Sequence, residues 1–381
     1  MTRFRLTLKQ HRFEIIGSTL ACLGLIAAAL FLTRELDSVV FPAGCKWEQF
    51  PSMMFDSAGQ PMQQEPTRAC QAAIDSFNSI RGVSLANVTQ IGMWLAPFVM
   101  AIMLGAPLVA REVEQNTAPL SWALIGSRRR WLLGRVGSIL IVFVPLMLAL
   151  GLAGDILYGA QNPGVNPWAS FEQYGARGVL VPFWGVAAFL GTVALGTLFG
   201  RSLPAVFVAV VICFFARLGG EYYFQRIVLE AYAQPLMTAQ QMASGNYMWN
   251  PTDLTVSYRY YLDGKPFSGD VDRWYAEHTP PAPIFDQNGN PIGIAGPTPA
   301  ATQSPQPSSG GSPDPNATAQ PVPALTDPSQ FNGSWGPTTY PFGFHGDRYW
   351  PVVAAESGIL AGGSLFLASI AFFWVGRRRP Y

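Results

Sequence analysis

The chain reads as an all-α membrane protein of six transmembrane helices, with a large extracytoplasmic loop between spans five and six. Three observations predict this. Only 12% of the 381 residues are charged while 49% are hydrophobic, against roughly 25% charge in ordinary soluble domains. Six segments are apolar over about the 20 residues that a helix needs to cross the hydrocarbon core. Basic residues cluster beside alternate segments, the mark that positive-inside topology leaves on a sequence.

The expected spans are 15–33, 90–110, 136–157, 178–200, 203–218 and 352–375. Residues 1–14 precede them as an amphipathic N-terminal segment. Its Phe4, Leu6, Leu8 and Phe13 stand among Arg3, Arg5, Lys9 and Arg12, a composition suited to the inner membrane interface. A basic start and an apolar run also describe a cleaved signal peptide. Here the run is long for one and leads into Arg34 and Glu35, not into a small-residue cleavage site. Gly191, Gly196 and Gly200, and Gly358, Gly362 and Gly363, supply small residues that let helices approach closely in lipid. Pro97, Pro107, Pro145 and Pro182 lie inside spans or near their ends, where kinks are tolerated.

Orientation follows from Lys and Arg. The N-terminal cluster is joined by Arg111, Arg128, Arg129, Arg130 and Arg135 between spans two and three. Arg201 follows between four and five, and Arg377, Arg378 and Arg379 after six. All four groups fall on one side of an alternating six-span path, and the positive-inside rule makes that side cytoplasmic. The chain is then a multi-pass protein of the cell membrane with both termini in the cytoplasm.

Three segments are left outside: 34–89, 158–177 and 219–351. The first holds Cys45 and Cys70. Two cysteines in one loop on the oxidising side suggest a disulfide, worth about 3 kcal/mol in the chain-entropy model, and two free thiols are the alternative. Cys22 and Cys213 fall within spans as apolar packing residues. The early part of 219–351 is aromatic enough for a small ordered cap, with Tyr258, Tyr260, Tyr261, Trp274 and Tyr275 among others. From about 279 to 330 the composition turns to Pro, Gly, Ser, Thr, Ala and Gln. That stretch buries too little apolar surface to offset ordering entropy and reads as a disordered insertion. Gly219-Gly220, after span five, is consistent with a turn or with the start of a short re-entrant helix. The last part, 352–381, is span six and its basic C-terminus.

The most informative stretch is 111–135, between spans two and three. Arg111, Glu112 and Glu114 open it and Arg128, Arg129 and Arg130 close it. Arginines alone would fit membrane anchoring, but the two glutamates add nothing to that role, so the segment reads as a docking surface. Asp155, Arg217 and Glu356 are the ionisable residues inside or near spans, each toward an outer end. Charge at such depth is costly and functional by default, with an Asp155–Arg217 or Glu356–Arg217 pair as the structural alternative. Net charge of +1 gives no sign of nucleic-acid binding. His11, His278 and His345 form no HExxH pair, and no GxxxxGK[ST] segment is present. The spans hold no nucleophile–base pair or metal-ligand cluster, so an intramembrane enzyme has no support. A non-transporting sensor or surface-assembly scaffold is kept open by the size of the 219–351 loop.

Four stretches together resemble the membrane subunits of type-2 ABC exporters (ABC-2-type permeases) of the actinobacterial kind. They are LKQHRFE from Leu8 to Glu14, Cys45 with Cys70 and its following QAAIDSF, and GAPLVAREVE with Thr117, Leu120, Trp122 and SRRRWL. The fourth is DRYWPVVAAESG from Asp347 to Gly358 with the terminal arginines. The chain departs from the family pattern at Asn116, where a glycine is usual, and at Ala118 and Pro119, where basic residues are usual. The resemblance implies a permease subunit that moves a substrate across the plasma membrane. A separate cytoplasmic ABC ATPase holding ATP and Mg²⁺ powers it, and this chain carries no cofactor. A second copy or a homologue completes the path. It further implies that Arg111, Glu112, Val113, Glu114, Thr117, Leu120, Trp122 and Arg128–Arg130 couple to the ATPase. Val113, Leu120 and Trp122 would enter a groove as anchors of an amphipathic helix, while the charges set register.

Overall fold

The computed structural model of the chain describes residues 12–43, 45, 54–55, 61–62, 67–115, 117, 127–236, 252–262, 265–278, 283–285, 291–294 and 338–377. Six helices among them are long and apolar enough to cross a membrane. They are α1 (Arg12–Asp37), then, after the short α2 (Arg68–Arg81), α3 (Ser84–Glu114), α4 (Arg128–Gln161), α5 (Leu180–Phe199) and α6 (Ser202–Tyr223). After the small α7 (Val271–His278) comes α8 (Tyr349–Arg377). The six expected spans correspond to these helices; five run past the expected stretch at both ends, and α5 lies within it.

The chain divides into two compact units: Met1–Leu236 with Trp249–Ser257 and Phe342–Tyr381, and Met237–Met248 with Tyr258–Pro341. In the first unit α3 is the central helix and is largely buried, whereas α1, α6 and α8 leave most of their apolar windows open. Leu203, Phe207 and Phe215 on α6 and Leu365 and Phe366 on α8 are exposed, as side chains facing lipid would be.

Small residues fix the central packing. Thr192 on α5 donates from Oγ1 to the Ala101 carbonyl of α3 at 2.9 Å. A Cβ on Gly105 would stand 2.1 Å from that Oγ1, and one on Gly196 would stand 2.6 Å from the Ala106 carbonyl oxygen. Only glycine permits this approach. Gly200 then ends α5 in the left-handed region at φ 64, its N–H donating to the Gly196 carbonyl, the usual helix stop that lacks a Cβ penalty.

Between α1 and α3 the structure contains a helix that hydropathy does not reveal. Thr67 caps α2, its side chain accepting from the Cys70 amide at 3.3 Å. Cys70, Ile74 and Phe77 turn inward from it, the i, i+4, i+7 stripe of an amphipathic helix. Phe77 meets Phe41 with ring centroids 5.5 Å apart. Cys45 and Cys70 are disulfide-bonded, with 5.6 Å between their Cα atoms.

Gly219-Gly220 is neither a turn nor a break. α6 runs through it and continues as a π-helical turn over Phe224–Leu229 and a 3₁₀ turn over Glu230–Tyr232. Also in the first unit, Gln234 and Pro235 pair antiparallel with Gly343 and Phe342. In the second unit, Tyr260–Leu262 pairs with Lys265–Phe267, the Tyr261 and Tyr340 rings lie 5.0 Å apart, and Trp274 stacks on His278 in α7. Of the proposed disordered insertion at 279–330, the described residues are the antiparallel pair Pro283–Phe285 and Pro291–Ile294; the rest lies outside the described residues.

Candidate functional site

The two ends of the helical body differ in kind. One gathers the start of α1, the end of α3, the start of α4, the α5–α6 turn and the end of α8; we call it the basic end. The other carries the long connections and is the loop end.

At the basic end the charges of 111–128 reach four different helices. Arg111 Nη1 bonds Glu14 Oε1 of α1 at 3.0 Å. Glu112 pairs with Arg135 of α4, and both are buried, 9% and 7% exposed. The Arg135 guanidinium also lies 5.3 Å from the centre of the Trp131 ring. Glu114 Oε2 accepts from the Ser202 amide at 3.1 Å and from Ser202 Oγ at 2.6 Å, capping α6 with a carboxylate contributed by another helix. A negative group there also complements the positive N-terminal end of the helix dipole. Arg128 Nη1 donates to the Gly376 carbonyl of α8 at 3.4 Å.

The end of α3 is closed by Gln115 N–H to the Arg111 carbonyl, and by Thr117 donating to the Glu112 carbonyl through both N–H and Oγ1. Val113 is half-buried and packs against the core. Arg129 and Arg130 are exposed. Leu120 and Trp122 lie outside the described residues. The sequence suggested a surface for an external partner. The described part is also a junction, in which Glu112 faces inward and Arg111, Glu112, Glu114 and Arg128 tie α3 or α4 to another helix. Glu14, Arg135 and Ser202 are partners that sequence reasoning did not assign, because each is far along the chain from the residue it holds.

At the loop end Asp155 pairs with Arg177, Oδ1 to Nη1 at 2.8 Å, and not with Arg217. Arg177 is 2% exposed. Its Nη1 also donates to the Pro167 carbonyl at 2.7 Å, its Nη2 to the Ser170 carbonyl at 2.7 Å and its Nε to the Glu172 carbonyl at 3.1 Å. The guanidinium lies 4.0 Å from the centre of the Tyr158 ring, whose hydroxyl is 2.7 Å from Ser170 Oγ and donates to Glu172 Oε2 at 3.0 Å. A single arginine thus folds the α4–α5 connection onto α4. Gly178, at φ 65, has no Cβ to crowd Asp155 Oδ2, which would lie 3.1 Å from one. The signal for this centre was a span carboxylate needing a cation, with Arg177 one residue before the next apolar run.

Arg217 lies 5.2 Å from the Trp94 ring and 5.4 Å from the Trp184 ring. Trp184 Nε1 donates to Glu356 Oε1 at 3.0 Å. The three charged candidates therefore occupy one end of the body. Asp155 belongs to the structural centre around Arg177, while Arg217 and Glu356 both meet Trp184.

The family model described as ABC-2 membrane transporter related matches residues 21–224. The chain belongs to this family. No curated protein and no solved structure matches it. The matched range runs from within α1 to the end of α6 and contains the whole basic-end junction except its contacts with Glu14 and Gly376. An ABC-2-type permease is a membrane subunit, so the chemistry expected of this body is binding and movement. In this permease the junction is the place where side chains of residues 111–135 bond across helices α1, α3, α4, α6 and α8.

Proposed function

We propose that this chain is the membrane-spanning half of an ATP-driven exporter, with its basic end in the cytoplasm. Residues 111–135 receive a separate cytoplasmic ATPase that holds ATP and Mg²⁺. A second copy of the chain, or a homologue, completes the translocation path. The observation that carries this reading is the set of bonds from Arg111, Glu112, Glu114 and Arg128 to α1, α4, α6 and α8. A push delivered at this segment, which joins α3 to α4 through Glu112 and Arg135, reaches three of the other four spans directly. Family membership supports the same reading, as does the family's association with ABC ATPases.

The docking face is then formed by exposed Arg129 and Arg130 together with Leu120 and Trp122. These arginines lie outside the junction bonds described above, so changing them spares the fold. The combined variant Arg129→Glu, Arg130→Glu and Trp122→Ala is expected to lower co-purification of the partner ABC ATPase by about tenfold. Undiminished recovery would place docking elsewhere. Orientation has its own test. A cysteine introduced at position 129 should react with a membrane-impermeant maleimide only after cells are opened; reaction in intact cells reverses the topology.

A further inference from the structure

A cavity of about 380 Å³ opens at the loop end, where the chain that follows α6 meets the start of α8, a volume within the range of small-molecule sites. Leu229, Phe344 and Val352 give it an apolar lining. They belong to one hydrophobic cluster, in which Leu229 and Val352 are buried. Asp347 and Arg348 line the same cavity. These opposite charges are neighbours in the chain and both are exposed. Among the described residues, however, neither side chain has a hydrogen-bond or ion-pair partner. The geometry points to a binding site for a small zwitterion with an apolar body. Arg348 takes its carboxylate or phosphate, Asp347 its ammonium, and the apolar lining its hydrocarbon.

The backbone that carries both charges is pinned. They stand on the 3₁₀ turn Gly346–Arg348, closed by the Arg348 N–H donating to the His345 carbonyl at 2.9 Å. His345, the third ionisable group of the lining, is engaged with Asp253, Nδ1 to Oδ2 at 3.2 Å. A Cβ on Gly343 would collide with the Leu254 carbonyl, and one on Gly346 with the Ala169 carbonyl. The chain on either side of His345 is therefore packed directly on neighbouring backbone. Charges presented from a fixed turn lower the ordering cost of binding. Gln234, paired with Gly343, adds an amide that both donates and accepts.

Charge selects the class of occupant. A simple anion would gain Arg348 and be opposed by Asp347; a simple cation would meet the reverse. A zwitterion satisfies both, and the guanidinium fork matches a carboxylate or a phosphate equally. An inorganic ion would gain nothing from Leu229, Phe344 and Val352. Two sources carry the required chemistry: a free apolar amino acid and the phosphoethanolamine head of a lipid. The site is separate from the basic end, and its test contains no ATPase, so it stands or falls apart from the docking reading.

The test uses the 381-residue chain in a nonionic maltoside detergent, which supplies no competing zwitterion. At neutral pH it is photolabelled with a diazirine-bearing leucine and, separately, with a lysophosphatidylethanolamine that carries a diazirine in its acyl chain. Each probe is compared with an anion of the same body, the deaminated acid for the first and the matching lysophosphatidylglycerol for the second. Mass spectrometry should find labelling in peptides covering 229–234 and 343–355, with a zwitterion about tenfold above its anionic counterpart. Labelling should fall about tenfold in Asp347→Asn and in Arg348→Gln, as expected for loss of a charged hydrogen-bond partner. Both side chains are exposed, so these variants keep the fold. It should fall equally in Ala355→Trp, which fills an exposed part of the lining and leaves both charges in place. Labelling by the leucine probe assigns a free amino acid, and labelling by the lysolipid a lipid headgroup. Labelling by neither probe, equal labelling by zwitterion and anion, or labelling unchanged in Asp347→Asn would each overturn the site.

Discussion

Arg177 is the residue on which the loop end rests. Its Nε, Nη1 and Nη2 all donate, and they bind three carbonyls and the Asp155 carboxylate together. Lysine offers one point charge and cannot reproduce this fork. Arg177→Ala leaves a buried carboxylate without its cation, a loss that typically costs about 3–5 kcal/mol. The expected result is a large fall in the temperature at which the purified permease aggregates in detergent, read by size-exclusion chromatography after heating. Joint replacement by Asp155→Asn and Arg177→Met should recover part of it, because no charge is then stranded. A double variant as unstable as Arg177→Ala would mean that the carbonyl bonds, and not the ion pair, carry the stability.

At the scale of elements, α3 and α5 are held by backbone proximity more than by large side chains. Gly196→Ala brings a methyl group to 2.6 Å from the Ala106 carbonyl oxygen, so the helices must part. Overpacking of this sort costs about 1–3 kcal/mol. Gly137→Ala on α4 meets nothing within 4 Å and removes backbone entropy from the unfolded chain, so it should be neutral or stabilising by about 0.5–1 kcal/mol. The pair makes a paired melting experiment: equal shifts for the two variants would refute a packing role for Gly196. The same comparison marks what the sequence discloses. The spans are legible because lipid demands long apolar runs, and the small residues on α5 are visible as a pattern. Their partners are not, since nothing in the string aligns Gly196 with Ala106. α2 escaped for a different reason: it lies flat in polarity, and its stripe of Cys70, Ile74 and Phe77 stands out only when 68–81 is read with a period of 3.6. Asp155 and Arg217 were both recognisable as costly charges, but pairing needs geometry, and the cation that meets Asp155 is Arg177.

For the whole molecule, the question is whether the basic end receives a partner and also transmits its motion. The two roles separate by residue. Arg129 and Arg130 are exposed, whereas Glu114 is committed to the start of α6 through Ser202. Changing Glu114 to Ala removes the tie between α3 and α6 and also an exposed cap of α6, a loss that a body of six spans can absorb. If the junction carries force, the Glu114→Ala permease should still recover its ATPase at wild-type yield. ATP hydrolysis should persist while substrate-dependent stimulation falls, because closure of the ATPases no longer moves α6 with α3. Ser202→Ala, which removes the hydroxyl bond but leaves the amide to Glu114, should give an intermediate loss. The ordering wild type, Ser202→Ala, Glu114→Ala in stimulated hydrolysis at constant complex yield is the signature of transmission. Loss of ATPase recovery in Glu114→Ala would assign this carboxylate to docking, and unchanged stimulation in both variants would leave the α3–α6 tie a matter of stability alone.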